Sequence, residues 1–248
     1  MRTMLGFSSS SVALSVALPL GCALWLGCAA PPPPKALPTK PQVQRLVVSD
    51  RPDLVRYRAL KREDFLSSTP PPQADTSRGH VAAVTCAYLV YGPELRFRAV
   101  KEPKQTEFEV QVENLTFFAR MDPQCSWWDE HAQFSPEYIL QHEQIHFAIV
   151  ELVARDLNRR APQIIERMRT HAATGEAALA AAKQEFNAEF EAAIQRTVER
   201  NRDFDLETSL GFKPEQQTAW AKRIEAELAE TAASASPDAP KPESLQQR

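Results

Sequence analysis

One stretch limits what this chain can fold into more than any other. From Ser135 to Arg160 the apolar residues recur with helical spacing, and the segment opens on Ser135-Pro136. Serine is a strong N-cap, and proline at the first helical position gives up an amide hydrogen that a helix start leaves unbonded anyway. The spacing predicts a helix from Pro136 to about Arg160, with Pro162 ending or kinking it. Inside it the chain reads Gln141-His142-Glu143-Gln144-Ile145-His146-Phe147, the pattern His-Glu-x-x-His. At about 100° per residue the two histidines lie roughly 40° apart and one turn along, so both imidazoles reach one ion through bonds of about 2.0 Å. Glu143, beside the first of them, points toward the remaining coordination position, where it can take a proton from water that zinc has acidified toward a pKa of about 7. Chance also produces the pattern, since exposed helices often carry His and Glu. The capped, apolar-patterned setting and the use of two of only five histidines argue for a Zn2+ site with His142 and His146 as ligands and Glu143 as base.

The rest of the composition narrows the function classes. Lys and Arg number 29 against 32 Asp and Glu, a net charge of −3, so no basic field exists to hold nucleic acid. At 248 residues and 43% hydrophobic, the chain suits one globular core with appendages. Twenty prolines against seven glycines cluster at Pro31 to Pro34, at Pro70 to Pro72 and in the tail from Pro237, stretches that read as linkers. Residues 1–28 carry Arg2 and an apolar run from Val12 to Gly27, ending Leu24-Trp25-Leu26-Gly27-Cys28. This reads as an export signal ending in a lipobox, in which Cys28 is lipidated, although Trp25 stands where an aliphatic residue is usual. The expectation is a lipid anchor to a membrane of the bacterial cell envelope, facing periplasm or exterior. A cleaved secretory signal is one alternative, and an uncleaved anchor helix, hindered by Pro19 and a short run, is another. Residues 29–42 then form a polyproline tether, 43–233 the folded domain, and 234–248 a disordered tail.

Cys22 and Cys28 fall in the export segment, which leaves Cys86 and Cys125. In an oxidising compartment such a pair either forms a disulfide, adding about 3 to 4 kcal/mol, or stays as two buried thiols. Val43 to Val48, His80 to Tyr91, Leu95 to Val100 and Thr106 to Arg120 read as strands, with Phe108, Val110 and Val112 alternating against Glu109, Gln111 and Glu113. Helical spacing returns from Gly175 to about Arg200, with Leu179, Phe186, Phe190, Ala193 and Val198 near one stripe, and from Pro214 to Ala233, with Trp220 and Ile224. The predicted fold is α+β: a small antiparallel sheet, then a mainly helical half, with a cleft between sheet and active helix.

Two histidines and a water leave zinc one protein ligand short. Glu151 lies about 180° around the helix from His142, so it serves as a solvated or salt-bridging residue. His131 precedes the helix and could fold back onto it, whereas His80 and His171 stand at ends of elements and read as surface residues.

Five groups of residues between Leu60 and Ile224 follow a recognisable order. They are Asp64-Phe65; Ala83-Val84-Thr85; Ser126-Trp127-Trp128-Asp129; His142 to Phe147, continuing through Glu151, Ala154 and Arg155; and Phe204-Asp205-Leu206-Glu207-Thr208-Ser209-Leu210-Gly211, followed by Gln217 and Trp220. Together they resemble a bacterial family of secreted zinc-dependent proteases, catalogued as domain of unknown function 922. Its pattern has an opening Asp-Phe, an Ala-x-Thr strand, a Ser-Trp-Trp element, a His-Glu-Gln-x-His-Phe helix and a late Tyr-Asp-x-x-Thr-x-His-Gly segment. The resemblance implies a zincin-like peptidase acting on peptide or protein substrates. This chain departs from it at Leu210, where the family has a histidine suited to the third ligand position, and leucine binds no zinc. Asp205 is the first choice to replace it, since carboxylates are accepted zinc ligands and the segment resembles a site-bearing one. Glu207, His131, or only two histidines with solvent are the alternatives. Trp127 and Trp128 either wall the cleft or pack in the core. The expected activity is hydrolysis of envelope peptide bonds or, with the same chemistry, of cell-wall amides. The competing expectation is a catalytically degenerate lipoprotein that scaffolds an envelope partner.

Overall fold

The computed structural model describes residues 53–72 and 81–233. Cys28 with its export segment, the 29–42 tether, the Val43 to Val48 strand, His80 and the 234–248 tail lie outside them. The described residues have the predicted α+β class, but their strands form three small antiparallel sheets instead of one. β1 (Val55–Arg56), β6 (Phe117–Met121) and β3 (Ala87–Tyr91) make one in the order β1-β6-β3; β2 (Ala83–Val84) pairs with β7 (Trp127–Trp128); β4 (Arg96–Val100), β5 (Phe108–Glu113) and β8 (His171–Ala172) make the third.

The division has local causes. The expected His80 to Tyr91 strand breaks at Thr85-Cys86, where Cys86 is bridged to Cys125 and its N–H donates to Ser126 Oγ at 3.0 Å, so β2 and β3 take different partners. The expected Thr106 to Arg120 strand breaks at Asn114, whose φ of 56° is left-handed, a conformation asparagine tolerates better than most residues. Within β5 the alternation holds, with Val110 buried and Gln111 exposed.

α1 (Pro136–Arg159) begins as predicted, the Ser135 side chain accepting the Tyr138 N–H at 3.3 Å. Pro162 does not lead into a loop. It sits in the first turn of a second helix, α2 (Ala161–Met168), which the sequence reading missed because proline stops one helix and starts another equally well. α3 (Gly175–Thr208) is capped by Thr174 and runs past the expected end near Arg200, so Phe204 and Asp205 lie on a helix. Its buried stripe is Ala178, Ala182, Phe186, Phe190, Ala193 and Thr197, with Leu179 and Val198 only half-buried on its flanks. α4 (Pro214–Ala233) matches the predicted span.

α1 is the central element. Phe147, Val150, Val153 and Leu157 pack with Phe117, Ala119 and Met121 of β6 and with Phe186 and Phe190 of α3. Ile145, Ile149 and Leu152 pack instead with Phe204, Trp220, Ile224 and Leu228. A helix buried against two layers keeps little surface of its own. The strip that α1 retains holds His142, Glu143 and His146, and it opens onto a cleft of about 480 Å³.

Candidate metal centre

The site is assembled from two helices. α1 supplies His142 and His146, one turn apart, and the last turns of α3 bring Asp205 opposite them. His142 Nε2 lies 3.2 Å from His146 Nε2, Asp205 Oδ1 lies 3.4 Å from the first and 3.1 Å from the second, and these atoms form the one candidate metal-binding group among the described residues. Four ligands held tetrahedrally at zinc's usual bond lengths stand about 3.3 Å apart. The donor triangle therefore has the size of one face of a zinc tetrahedron, the residues fit the ion, and its fourth corner is left for a water or substrate oxygen.

Both imidazoles are held in the form that binding requires. His142 Nδ1 lies 3.0 Å from Gln217 Oε1, and His146 Nδ1 lies 2.7 Å from Asn201 Oδ1. The orientation of each amide is fixed by its other end: Gln217 Nε2 donates to the Tyr138 carbonyl and to Gln141 Oε1, and Asn201 Nδ2 donates to the Thr197 carbonyl. With an amide oxygen facing it, each Nδ1 must carry a hydrogen, so Nε2 is the nitrogen at which an ion could replace a proton. Phe204 packs on both rings, with centroids 4.5 and 4.9 Å away, and limits their rotation. Sequence reasoning named Phe204 and Gln217 within the resemblance but gave them no role at the site, and passed over Asn201. The available signal was the spacing of Thr197, Asn201 and Asp205, which puts three polar residues on one helical stripe.

Without a metal the same groups share a proton. Burial alone would push the His146 imidazole down, but the Asp205 carboxylate outweighs it, helped by Glu143 and Asn201, and raises it to about 9. Burial likewise favours neutral Asp205, yet His146 and His142 hold its carboxyl far below the usual range. A cation entering the triangle would compete with that proton for the same lone pairs.

Glu143 lines the cleft beside the triangle, buried, and its Oε2 has no hydrogen-bond partner. Thr85 Oγ1, on the opposite wall, is also buried without a partner. Buried polar atoms left so cost about 1–3 kcal/mol each, which a water or ligand in the cleft would offset.

The remaining sequence candidates fall elsewhere. Glu207 Oε2 accepts the Trp220 indole N–H at 2.7 Å. His131 is exposed in the loop before α1, and His171 is exposed on β8. Glu151 pairs with Arg155 at 2.7 Å. Trp127 and Trp128 pair with β2 but do not line the cleft; Trp128 is buried edge-on against Phe65, ring centres 5.5 Å apart. Leu210 lines the cleft from the α3–α4 corner, where Ser209, Leu210 and Gly211 all have left-handed φ of 53°, 57° and 87°. This corner is tied to α1 by the Tyr138 hydroxyl, which donates to the Gly211 carbonyl at 2.5 Å. No family model, curated protein or solved structure matches the chain.

Proposed function

We propose that the protein is a zinc-dependent metallopeptidase of the bacterial envelope, anchored through a lipid on Cys28, with His142, His146 and Asp205 holding the ion. The observation that carries the reading is the conjunction of a donor triangle of zinc's dimensions with a buried, unpartnered Glu143 carboxylate oxygen at its side. When bound, zinc supplies Lewis acidity, lowering the pKa of water toward about 7 and stabilising negative charge on an attacked carbonyl oxygen. The chain's own residues supply the rest. Glu143 Oε2 accepts the proton that water releases and passes it to the leaving amine. Gln217 and Asn201 keep the imidazoles oriented, so no reorganisation is needed when substrate arrives. The resemblance to the secreted zinc-dependent proteases supports the same reading, with Asp205 in place of the histidine missing at Leu210. The Cys86–Cys125 disulfide supports an oxidising compartment.

The test is zinc content with peptide cleavage, comparing the protein with Glu143→Gln. The expected result is one zinc per chain in both, and a loss of about 10²–10⁴-fold in cleavage rate for Glu143→Gln. Full zinc occupancy with no cleavage by the unaltered protein would overturn the peptidase reading and favour a scaffold.

A further inference from the structure

The two walls of the cleft differ in chemistry. The helical wall, α1 with the end of α3, carries the candidate ion-binding and proton-accepting groups, and the facing wall is a strand edge. Ala82 accepts the Asp129 N–H through its carbonyl at 2.9 Å, in a register that sets Ala83 against Trp128 and Val84 against Trp127. Successive residues of an antiparallel strand turn their backbone groups to opposite sides. Ala82 and Val84 thus face β7, and Ala83 turns its N–H and C=O the other way. Among the described residues no strand pairs with β2 on that side, and the strand lines the cleft. An unpaired edge is a template for an extended chain, whose backbone supplies the missing partners.

The end of the cleft at the α3–α4 corner is apolar. Leu210 lines it together with Phe134 and Tyr138. The Phe134 ring stands 5.1 Å from Phe212 and 5.4 Å from Tyr138, which makes a continuous apolar surface. Left-handed backbone is unfavourable for a residue that carries a Cβ. Leu210 adopts it at the hydrogen-bonded end of α3, where its N–H donates to the Asp205 carbonyl at 2.8 Å, and the cap leaves its side chain 46% exposed. An exposed apolar side chain held in place by a helix cap on the rim of a cleft offers a fixed surface for an apolar group of a ligand.

The geometry points to an extended peptide substrate that adds along the free edge of β2 and seats a large apolar side chain against Leu210 and Phe134, making Leu210 a specificity-determining residue. This inference rests on the peptidase reading and deepens it by naming the substrate class. Hydrogen bonds to Ala83 would be independent of sequence, and selection would come from the apolar corner.

The experiment incubates the zinc-loaded full chain with a peptide library and locates cleaved bonds by mass spectrometry. Cleavage is expected beside Leu, Ile or Phe over Asp, Lys or Gly by at least about tenfold in kcat/KM. Leu210→Asn keeps a residue that tolerates left-handed φ but removes the apolar surface. It is expected to retain zinc and to lose the preference through KM. In parallel, zinc-loaded Glu143→Gln is titrated with two fluorescent peptides differing only by Phe for Asp, and the Phe peptide is expected to bind tighter unless Leu210 is also changed. Cleavage without apolar preference overturns this inference and leaves the peptidase reading intact. No cleavage, with selective binding that depends on Leu210, overturns the peptidase reading and supports the cleft assignment. Neither cleavage nor selective binding overturns both.

Discussion

At the residue scale, the candidate centre depends on side chains that would never touch the ion. Asn201 and Gln217 fix which nitrogen of each histidine is free, and their amide ends are locked by bonds to Thr197, Tyr138 and Gln141. Such outer partners typically contribute 10–100-fold to metal affinity. Asn201→Leu has nearly the same shape and removes the acceptor from His146 Nδ1, so it is expected to weaken zinc binding by about that factor while leaving the helical circular dichroism unchanged. Competition against a chelating dye measures it, and an unchanged affinity would mean the Asn201 contact is only structural. His142, Glu143 and His146 were legible in the sequence because one turn of helix relates them. Asn201 was not, because an asparagine in a polar stripe looks the same whether it faces solvent or a histidine 55 positions away.

At the scale of elements, the disulfide and the helix ends matter most. Cys86–Cys125 joins the segment between β2 and β3 to the segment before β7, closing a loop with a sequence separation of 39. A cross-link of that span lowers the entropy of the unfolded chain by an amount equivalent to about 4 kcal/mol. The double variant Cys86→Ser with Cys125→Ser is expected to lose about that much stability in urea unfolding, with a steeper transition because the unlinked unfolded chain exposes more surface. A loss below about 1 kcal/mol would show that native contacts, not the cross-link, hold the two segments. α2 escaped the sequence reading for want of a signal, since Pro162 reads equally as a stop and as a first-turn residue. The length of α3 was also missed, because beyond Arg200 Phe204 is its one buried apolar residue while Leu206 is exposed, which leaves little apolar periodicity.

At the scale of the whole molecule, an ion in the centre would tie α1 to the end of α3, two helices otherwise joined there by the His146–Asn201 contact and by Phe204, which is fully buried against His142, His146 and Trp220. Binding to the folded state alone stabilises it by about 2.7 kcal/mol at a free concentration of 100 times Kd. Zinc is expected to raise the unfolding midpoint of the chelator-treated protein, and His142→Ala is expected to abolish the response. A midpoint indifferent to zinc in the unaltered protein would overturn the assignment of these three residues as ligands.

Sequence alone determined what lies within reach of one helix or one strand: the start of α1 at Ser135-Pro136, the histidine pair on one face, the carboxylate between them, and an α+β order of elements. These follow from periodicity, which the chain carries locally. Tertiary structure decided the rest. Three carboxylates or imidazoles competed for the third donor position on chemical grounds, and the packing of Phe204 against the histidines brought Asp205 to them, while Glu207, two residues along and so about 200° around the helix, turned to Trp220. The division into three sheets was equally hidden, because pairing partners are chosen by a cross-link and a left-handed turn, not by the alternation that marks a strand.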